Sequence, residues 1–419
     1  MSDSERKYDL VIVGGGAAGM TAAIFAGRAA GREQRIALLD GAAKLGAKIL
    51  VSGGGRCNVT HDVVSEQDYF GGRANHVRRV LRTLSVEKTI DFFAELGVKL
   101  KREETGKLFP VTDRAKTVLD ALLGAVEQAG VEILPGHRVS GIARDAAGFL
   151  IETSQGPIAA KRVILATGGR SLPKTGSDGQ AYGFARKLGH TVTETTPALV
   201  PLVLEDGCWL TKLSGISFEA ELTLAGPTGK LLHRETGPTL LTHFGLSGPA
   251  PMNLSRHWIA ARAKEPGVTL AANLVGGRSF EAVERELIEG ARRRPRAGVA
   301  SRVQRWLPER LAAALVEQAA GTAPSAPAGQ MTRDARRAIV HGLTALPLPV
   351  VRDRGWLHAE VTAGGVPLEE VNLRTMASKR CEGLYLCGEI LDVDGRIGGY
   401  NFQWAWCSGR LAGQGAASS

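Results

Sequence analysis

The sequence predicts an α/β protein on a doubly wound, Rossmann-like parallel sheet, carrying a β-rich insertion and a small basic helical part. Three observations predict it. Residues 8–13 (YDLVIV) are a short apolar, β-prone run that ends on a glycine cluster, and residues 17–30 continue as a small-residue helical pattern. Residues 35–40 (RIALLD) are a second apolar run closing on an acid, which completes strand, glycine turn, helix, strand. After about Gly189 the pattern changes to alternating strands and then basic helices, before a buried apolar run returns at residues 383–387 (GLYLC).

Composition agrees with a well-packed chain. Of 419 residues, 44% are hydrophobic and 22% charged, which excludes a disordered chain, and 53 glycines without a Gly-X-Y period exclude collagen. Such an excess of glycine points to turns that approach a ligand closely. Five cysteines, an odd number, and an opening MSDSERKYDL without a basic and apolar leader lead us to expect a reducing cytoplasm. The most membrane-like stretch, residues 8–30, is interrupted by Gly14, Gly15, Gly16 and Gly19, so no membrane association is expected. A net charge of +10 favours polyanionic partners.

In order along the chain, residues 86–96 and 115–128 read as amphipathic helices and 131–134 as a strand. Residues 139–144, 149–153 and 158–165 read as a β-meander turning at Asp145–Gly148 and Ser154–Gly156. Residues 191–204, 218–224 and 230–234 alternate like strands, 279–320 are helical and basic, and 321–329 (GTAPSAPAG) read as a linker. The expected division is therefore a discontinuous dinucleotide domain (1–190 and 355–419), a β-rich insertion (191–275 and 330–354) and a basic helical subdomain (276–329).

Gly14-x-Gly16-x-x-Gly19 follows the first strand and opens the first helix, and Asp40 ends the next strand. Such glycines allow a tight turn, close backbone approach to a pyrophosphate and helix-on-strand packing, while the acid receives ribose hydroxyls. NAD and FAD share this fingerprint. Residues 163–169 (VILATGG) and 383–389 (GLYLCGE) resemble the second and third FAD contacts of glutathione-reductase-like flavoproteins with two dinucleotide-binding domains, in which the late acid holds the ribityl chain. A second Gly-x-Gly-x-x-Gly is missing, so NADH or NADPH is expected only as a transient reductant.

Residues 52–58 (SGGGRCN), 106–110 (GKLFP), 166–173 (ATGGRSLP), 242–249 (THFGLSGP), 388–395 (GEILDVDG) and 398–403 (GGYNFQ) together resemble the YhiN/BaiN family of flavoproteins over nearly the whole chain. The resemblance implies an NAD(P)H- and FAD-dependent oxidoreductase acting on an activated C=C bond, in a family that includes reduction of a bile-acid enone and dihydrouridine synthesis in ribosomal RNA. It carries FAD onto Gly14, Gly16, Ala17, Ala18, Gly19, Asp40, Lys48, Gly54, Gly55, Arg56, Val139, Ala166, Thr167, Gly168, Gly388, Glu389, Gly399, Tyr400, Asn401 and Phe402. Arg56 is expected at the pyrophosphate, whose oxygens suit a guanidinium fork. The N-terminus of the last helix is expected to face the pyrimidine edge of reduced flavin. Tyr400 and Phe402 are read equally as stacking on flavin or substrate and as packing.

Two side chains are candidate proton donors. Cys57 has no partner thiol nearby, which disfavours dithiol chemistry and leaves a general-acid role or, more simply, a small apolar filler against the cofactor. His243 titrates in a useful range and is read equally as an acid or as a structural hydrogen bonder. Ser247 lacks the last glycine of a nucleophile elbow, Asp392-x-Asp394-Gly395 lacks the other calcium ligands, and the nine histidines show no paired metal spacing. No metal is expected. The favoured substrate is a uridine of ribosomal RNA, held through Arg292, Arg293, Arg294, Arg296, Arg302 and Arg305, with no stable protein partner. The alternatives are a small-molecule enone reductase, for which these arginines are a solvated face, and an RNA-binding protein in which FAD is not catalytic.

Overall fold

The computed structural model describes residues 6–30 and 34–418; residues 1–5, 31–33 and 419, which the expected dinucleotide domain also included, lie outside. The chain forms two compact units, Met1–Pro197 with Glu360–Ser419, and Ala198–Ala359.

In the first unit five strands run parallel, in the order Glu132–Leu134, Ile36–Leu39, Arg6–Val13, Ile158–Leu165 and Leu384–Leu386. Ile158–Leu165 is shared: its first half pairs antiparallel with Gly148–Thr153 and its second half parallel with Leu384–Leu386. Near-continuous apolar runs suit these strands because helices cover the sheet. Leu10, Val11, Ile12, Leu38, Leu39, Ile164, Leu165 and Leu386 are fully buried. The fingerprint helix Ala17–Ala29 lies against the last helix, Tyr400–Ala417, and small residues set that approach. A Cβ on Gly409 would lie 2.5 Å from the Ala18 carbonyl oxygen, and one on Gly413 2.2 Å from that of Ala22. The last helix also carries two buried tryptophans whose indole N–H groups donate to the carbonyls of Gly388 (3.2 Å, from Trp404) and Val59 (2.9 Å, from Trp406).

In the second unit all seven strands pair antiparallel, in the order Leu346–Pro347, Thr269–Asn273, Ser217–Ala225, Leu231–Thr242, Gly245–Ser247, Leu202–Leu204 and Val350–Asp353. Helix Pro249–Lys264 packs on this sheet. Helices Phe280–Arg293 and Arg333–Thr344 begin on hydroxyl caps, Ser279 accepting from the Ala282 amide and Thr332 from that of Ala335.

The basic helical segment is not a subdomain of its own. Val283, Leu287, Val299, Leu311, Leu315 and Val316 share one hydrophobic cluster with Leu202, Leu222, Leu241 and Leu254 of the β-rich part. The expected linker is likewise part of the packing: the Val299 amide donates to Ala326 O (2.9 Å) and the Ala300 amide to Pro324 O (3.0 Å). Prolines and alanines here order the chain, because the first amides of helix Val299–Val303, which have no acceptor within that helix, reach their carbonyls.

Candidate functional site

The register aligns the carboxyl ends of the parallel strands. Val13 pairs with both Leu39 and Leu165, Leu165 with Leu386, and Leu39 with Leu134. The loops beginning at Gly14, Asp40, Ala166 and Cys387 therefore leave the sheet on one edge, where open α/β sheets bind ligands.

The three fingerprint glycines have separable reasons. A Cβ on Gly14 (φ 109°) would lie 2.5 Å from Ala166 O, and one on Gly19 only 1.8 Å from Gly14 O, so these two are required by packing. A Cβ on Gly16 would meet nothing within 4 Å, so backbone there faces open space. Gly16 caps the helix begun by Ala17 and Ala18, whose first amides have no intrahelical acceptor and suit an anion. Asp40 holds this turn in shape, accepting from the amides of Gly15 (2.8 Å) and Ala42 (2.7 Å). Gly388 (φ 78°) brings the late loop against the same helix, since a Cβ there would lie 2.7 Å from Ala18 Cβ.

Lys48 and Glu389, both expected to touch the cofactor, meet each other. Lys48 Nζ lies 2.8 Å from Glu389 Oε2 and 2.8 Å from Ser171 Oγ. Glu389 Oε1 also receives the Thr362 amide (2.9 Å) and lies 2.9 Å from Ser171 Oγ. Thr362 Oγ1 in turn accepts from the amides of Arg170 (2.7 Å) and Ser171 (3.2 Å). Sequence reading missed Ser171 and Thr362, although Ser171 lies in a quoted motif; Thr362 carries no local signal. Beside this network two buried hydroxyl oxygens have no hydrogen-bond partner among the described residues, Thr167 Oγ1 and Ser177 Oγ. Gly168 (φ 72°) closes on the second of them, for a Cβ would lie 2.8 Å from Ser177 Oγ. Open backbone at Gly16, free helix amides and unsatisfied hydroxyls fit an extended dinucleotide.

The other expected contacts are placed differently. Arg56, expected at a pyrophosphate, stacks over the Phe109 ring (4.0 Å) and pairs with Glu103 (2.6 Å) and Asp113 (3.6 Å). Its nearest charges are thus acids of its own chain, which draw the guanidinium as a phosphate would. Gly54 and Gly55, beside it, adopt left-handed conformations (φ 68° and 84°), with nothing within 4 Å of a Cβ on Gly54. Tyr400 stacks on His61 (5.0 Å, 18°) and Phe402 on Trp406 (5.4 Å, 11°), contacts that serve packing. The Asn401 side chain clasps Gly395, accepting from its amide (2.8 Å) and donating to its carbonyl (3.0 Å). Gly399 (φ 100°) is pressed against Thr60, and Val139 is buried at the start of strand Val139–Asp145. Lys107 faces the entrance of the last helix: a Cβ on Gly398 would stand 3.6 Å from Lys107 Cε.

The two candidate proton donors stand in different settings. Cys57 is fully buried in the core with φ 61°, and burial pushes its thiol up to about 12. The apolar filler reading accounts for this. His243 is exposed, edge-on to Phe244 (5.1 Å), and belongs to the second unit.

One further constellation has the outline of a hydrolytic triad. His190 Nδ1 lies 2.7 Å from Glu370 and Nε2 2.7 Å from Ser378 Oγ. Ser378 Oγ is occupied by the amides of Arg380 (3.0 Å) and Cys381 (2.8 Å), so it is a tie between loops and not a nucleophile.

Residues 8–415 match the family described as HI0933-like protein Rossmann domain. The chain is 33% identical to the 3-dehydro-bile acid delta(4,6)-reductase of Clostridium scindens, across 97% of this chain and 98% of that one. It is 32% identical to the ribosomal RNA dihydrouridine synthase of Escherichia coli, across 96% of each. Among solved structures, the 3-ketosteroid delta1-dehydrogenase of Sterolibacterium denitrificans superposes with a TM-score of 0.54 at 11% identity, covering 99% of this chain and 100% of that one, a likeness of fold.

Proposed function

Since the chain belongs to the HI0933-like protein family, we propose that it is an FAD-dependent oxidoreductase that reduces an activated carbon–carbon double bond, with NADH or NADPH as transient reductant and a uridine of ribosomal RNA as its favoured substrate. The observation that carries the flavin is the edge of strand ends at which Gly16 leaves open space while Thr167 Oγ1 and Ser177 Oγ lack partners. Bound FAD supplies the hydride. The amides at Ala17 and Ala18 hold the pyrophosphate, the Thr167 and Ser177 hydroxyls bind the cofactor's polar groups, and the Lys48–Glu389 pair fixes the loops from which they project. The amide end of helix Tyr400–Ala417 and the nearby Lys107 ammonium favour negative charge on the pyrimidine side of the ring.

Support for RNA comes from residues 291–310, where seven arginines stand against one glutamate. Arg292, Arg294 and Arg296 are exposed and have no ion-pair partner among the described residues. Such arginines release counterions from a phosphate backbone. The second reading, a small enone reductase, is favoured by the bile-acid reductase relative. Two measurements separate them. Dihydrouridine in ribosomal RNA, quantified by mass spectrometry in cells with and without the gene, is expected to disappear on deletion and return with the intact gene. Unchanged dihydrouridine defeats the RNA reading. Turnover of an RNA acceptor should also fall steeply with added salt, and that of a neutral enone should not.

A further inference from the structure

The motif at residues 242–249 (THFGLSGP) has no role in the site described above, and it belongs to the second unit. Its glycines are there for steric reasons. A Cβ on Gly245 (φ 148°) would lie 2.4 Å from Leu202 O, and one on Gly248 (φ 91°) 3.0 Å from Pro238 O. Thr242 Oγ1 closes the turn, donating to Gly245 O (3.0 Å) and accepting from the Gly245 amide (3.1 Å). The two residues between them, His243 and Phe244, are therefore presented by a fixed backbone.

Strand Leu202–Leu204 lies between Gly245–Ser247 and Val350–Asp353. On one edge the Leu204 amide donates to Phe244 O (3.0 Å), and on the other the Arg354 amide donates to Pro201 O (3.1 Å). Asp353 Oδ1 accepts from the Gly355 amide (2.6 Å), which fixes the bend at Arg354. The side chains meet across that strand: the Arg354 guanidinium sits on the Phe244 ring, 4.2 Å from its centroid, and the His243 ring stands edge-on to Phe244 at 5.1 Å.

Arg354 differs from comparable arginines in lacking an acceptor. It is half-buried, yet no hydrogen bond or ion pair reaches its guanidinium among the described residues. Arg262, on the Trp258 ring, also donates to Val351 O, and Arg305, on Trp306, also pairs with Glu286 (3.0 Å). The half-buried Arg56, Arg138 and Arg336 pair with Glu103, Asp178 and Glu284. On Phe244 the ring face attracts the cation and holds it in place without using any of its N–H groups. Donors that have lost part of their water and gained no acceptor favour a ligand that brings one. His243, exposed and without a hydrogen bond among the described residues, adds a ring N–H beside them.

We propose that Arg354, seated on Phe244 and flanked by His243, is an oxyanion-binding site that takes the anionic group of the acceptor, an inference that rests on reading the chain as a reductase of carbon–carbon double bonds. The guanidinium fork offers parallel N–H groups to the paired oxygens of a carboxylate or a phosphate. A nucleotide phosphate of RNA and a carboxylate on a small enone both carry such oxygens.

The test begins without turnover. The flavin-loaded protein is treated with phenylglyoxal, which modifies accessible guanidinium groups, in chloride, phosphate or acetate at equal ionic strength, and the modified peptides are read by mass spectrometry. Arg354 is expected to react in chloride and to be protected about fivefold by phosphate or acetate, whereas the exposed Arg352 on the neighbouring strand reacts alike in all three. Turnover then names the source. Wild type, Arg354→Lys and the control Arg352→Gln are given 2-cyclohexenone, a carboxylated cyclohexenone and a ribosomal RNA transcript. Arg354→Lys keeps the charge and loses the fork, so KM should rise about tenfold for the acceptor whose oxyanion it holds and stay unchanged for 2-cyclohexenone. A rise for RNA alone assigns a phosphate, for the carboxylated enone alone a carboxylate, and for both a site indifferent to the two. Equal modification of Arg354 in the three salts, or KM within about twofold of wild type for both anionic acceptors, overturns the proposal. An equal rise for 2-cyclohexenone, or the same rise in Arg352→Gln, overturns it too, since neither depends on a fork meeting an anion. If the wild type reduces no acceptor while phosphate or acetate still protects Arg354, the reductase reading fails and the oxyanion site stands.

Discussion

Around His190 every polar group is matched, whereas beyond the end of strand Ile158–Leu165 two hydroxyls are not, and the two clusters lie in the same unit. Glu370 receives His190, the Thr191 hydroxyl (2.8 Å) and the Thr191 amide (3.1 Å), with Arg380 at 3.6 Å, and Ser378 completes the set. On the loop that leaves strand Ile158–Leu165, Thr167 Oγ1 and Ser177 Oγ are buried without partners. A buried polar atom left unmatched costs about 1–3 kcal/mol, a cost that a ligand reaching it removes. The saturated cluster, for all its resemblance to a triad, is structure; the unsaturated one is where we propose that the cofactor binds.

Four experiments sharpen or break that contrast. Gly19→Val has the largest expected effect: its Cβ would fall 1.8 Å from Gly14 O, so the protein should purify without flavin, as read from its visible absorbance. A flavin-loaded variant would show that this helix is not where the cofactor sits. Glu370→Ala strands His190 and the Thr191 amide and should cost about 3 kcal/mol in urea unfolding, while flavin affinity stays near wild type. Loss of flavin without loss of stability would reverse the assignment of the two clusters.

The same cluster sets a pH dependence. Burial lowers the proton affinity of His190 despite its bond to Glu370. Burial alone would raise Glu370, but hydrogen bonds from Thr191 and His190 hold it below the ordinary glutamate range. In both cases the unfolded chain binds the proton more tightly, so stability is lost as pH falls, first through the ordinary histidine range near about 6.5 and then through that of glutamate. A melting temperature that rises between about pH 7 and 5 would contradict this. His190→Asn should flatten the upper part of the curve. The smallest effect belongs to Thr167→Val. Removing a hydroxyl that has no partner should leave the stability of the flavin-free protein unchanged, yet weaken FAD binding about tenfold, or about 1.4 kcal/mol, when apoprotein is titrated with FAD. Equal affinity would remove Thr167 from the site.

Much of the first unit was legible because local pattern and tertiary demand agree there. The expected helices at 86–96 and 115–128 appear as Val86–Glu95 and Ala115–Gln128, and the β-meander appears with its turns in place. Helix Pro249–Lys264 was not expected: its first residues, Pro249 to Ser255, are almost all buried, so no polar face alternates with the apolar one to mark its period. The linker at 321–329 was misread because proline and alanine mark a chain without its own hydrogen bonds, and here other segments supply them.

Within the site, what the sequence alone determined is the backbone. Gly14 and Gly19 are glycines for steric reasons that hold wherever a strand turns into a helix over a neighbouring strand, and Asp40 follows from the same unit. The tertiary structure decided the partners. Lys48 and Glu389 are 341 residues apart and meet, and Arg56 turns to Glu103. A steric limit is written in a residue and its neighbours, but a charge takes its partner, its burial and its proton affinity from whichever distant segments the fold brings beside it.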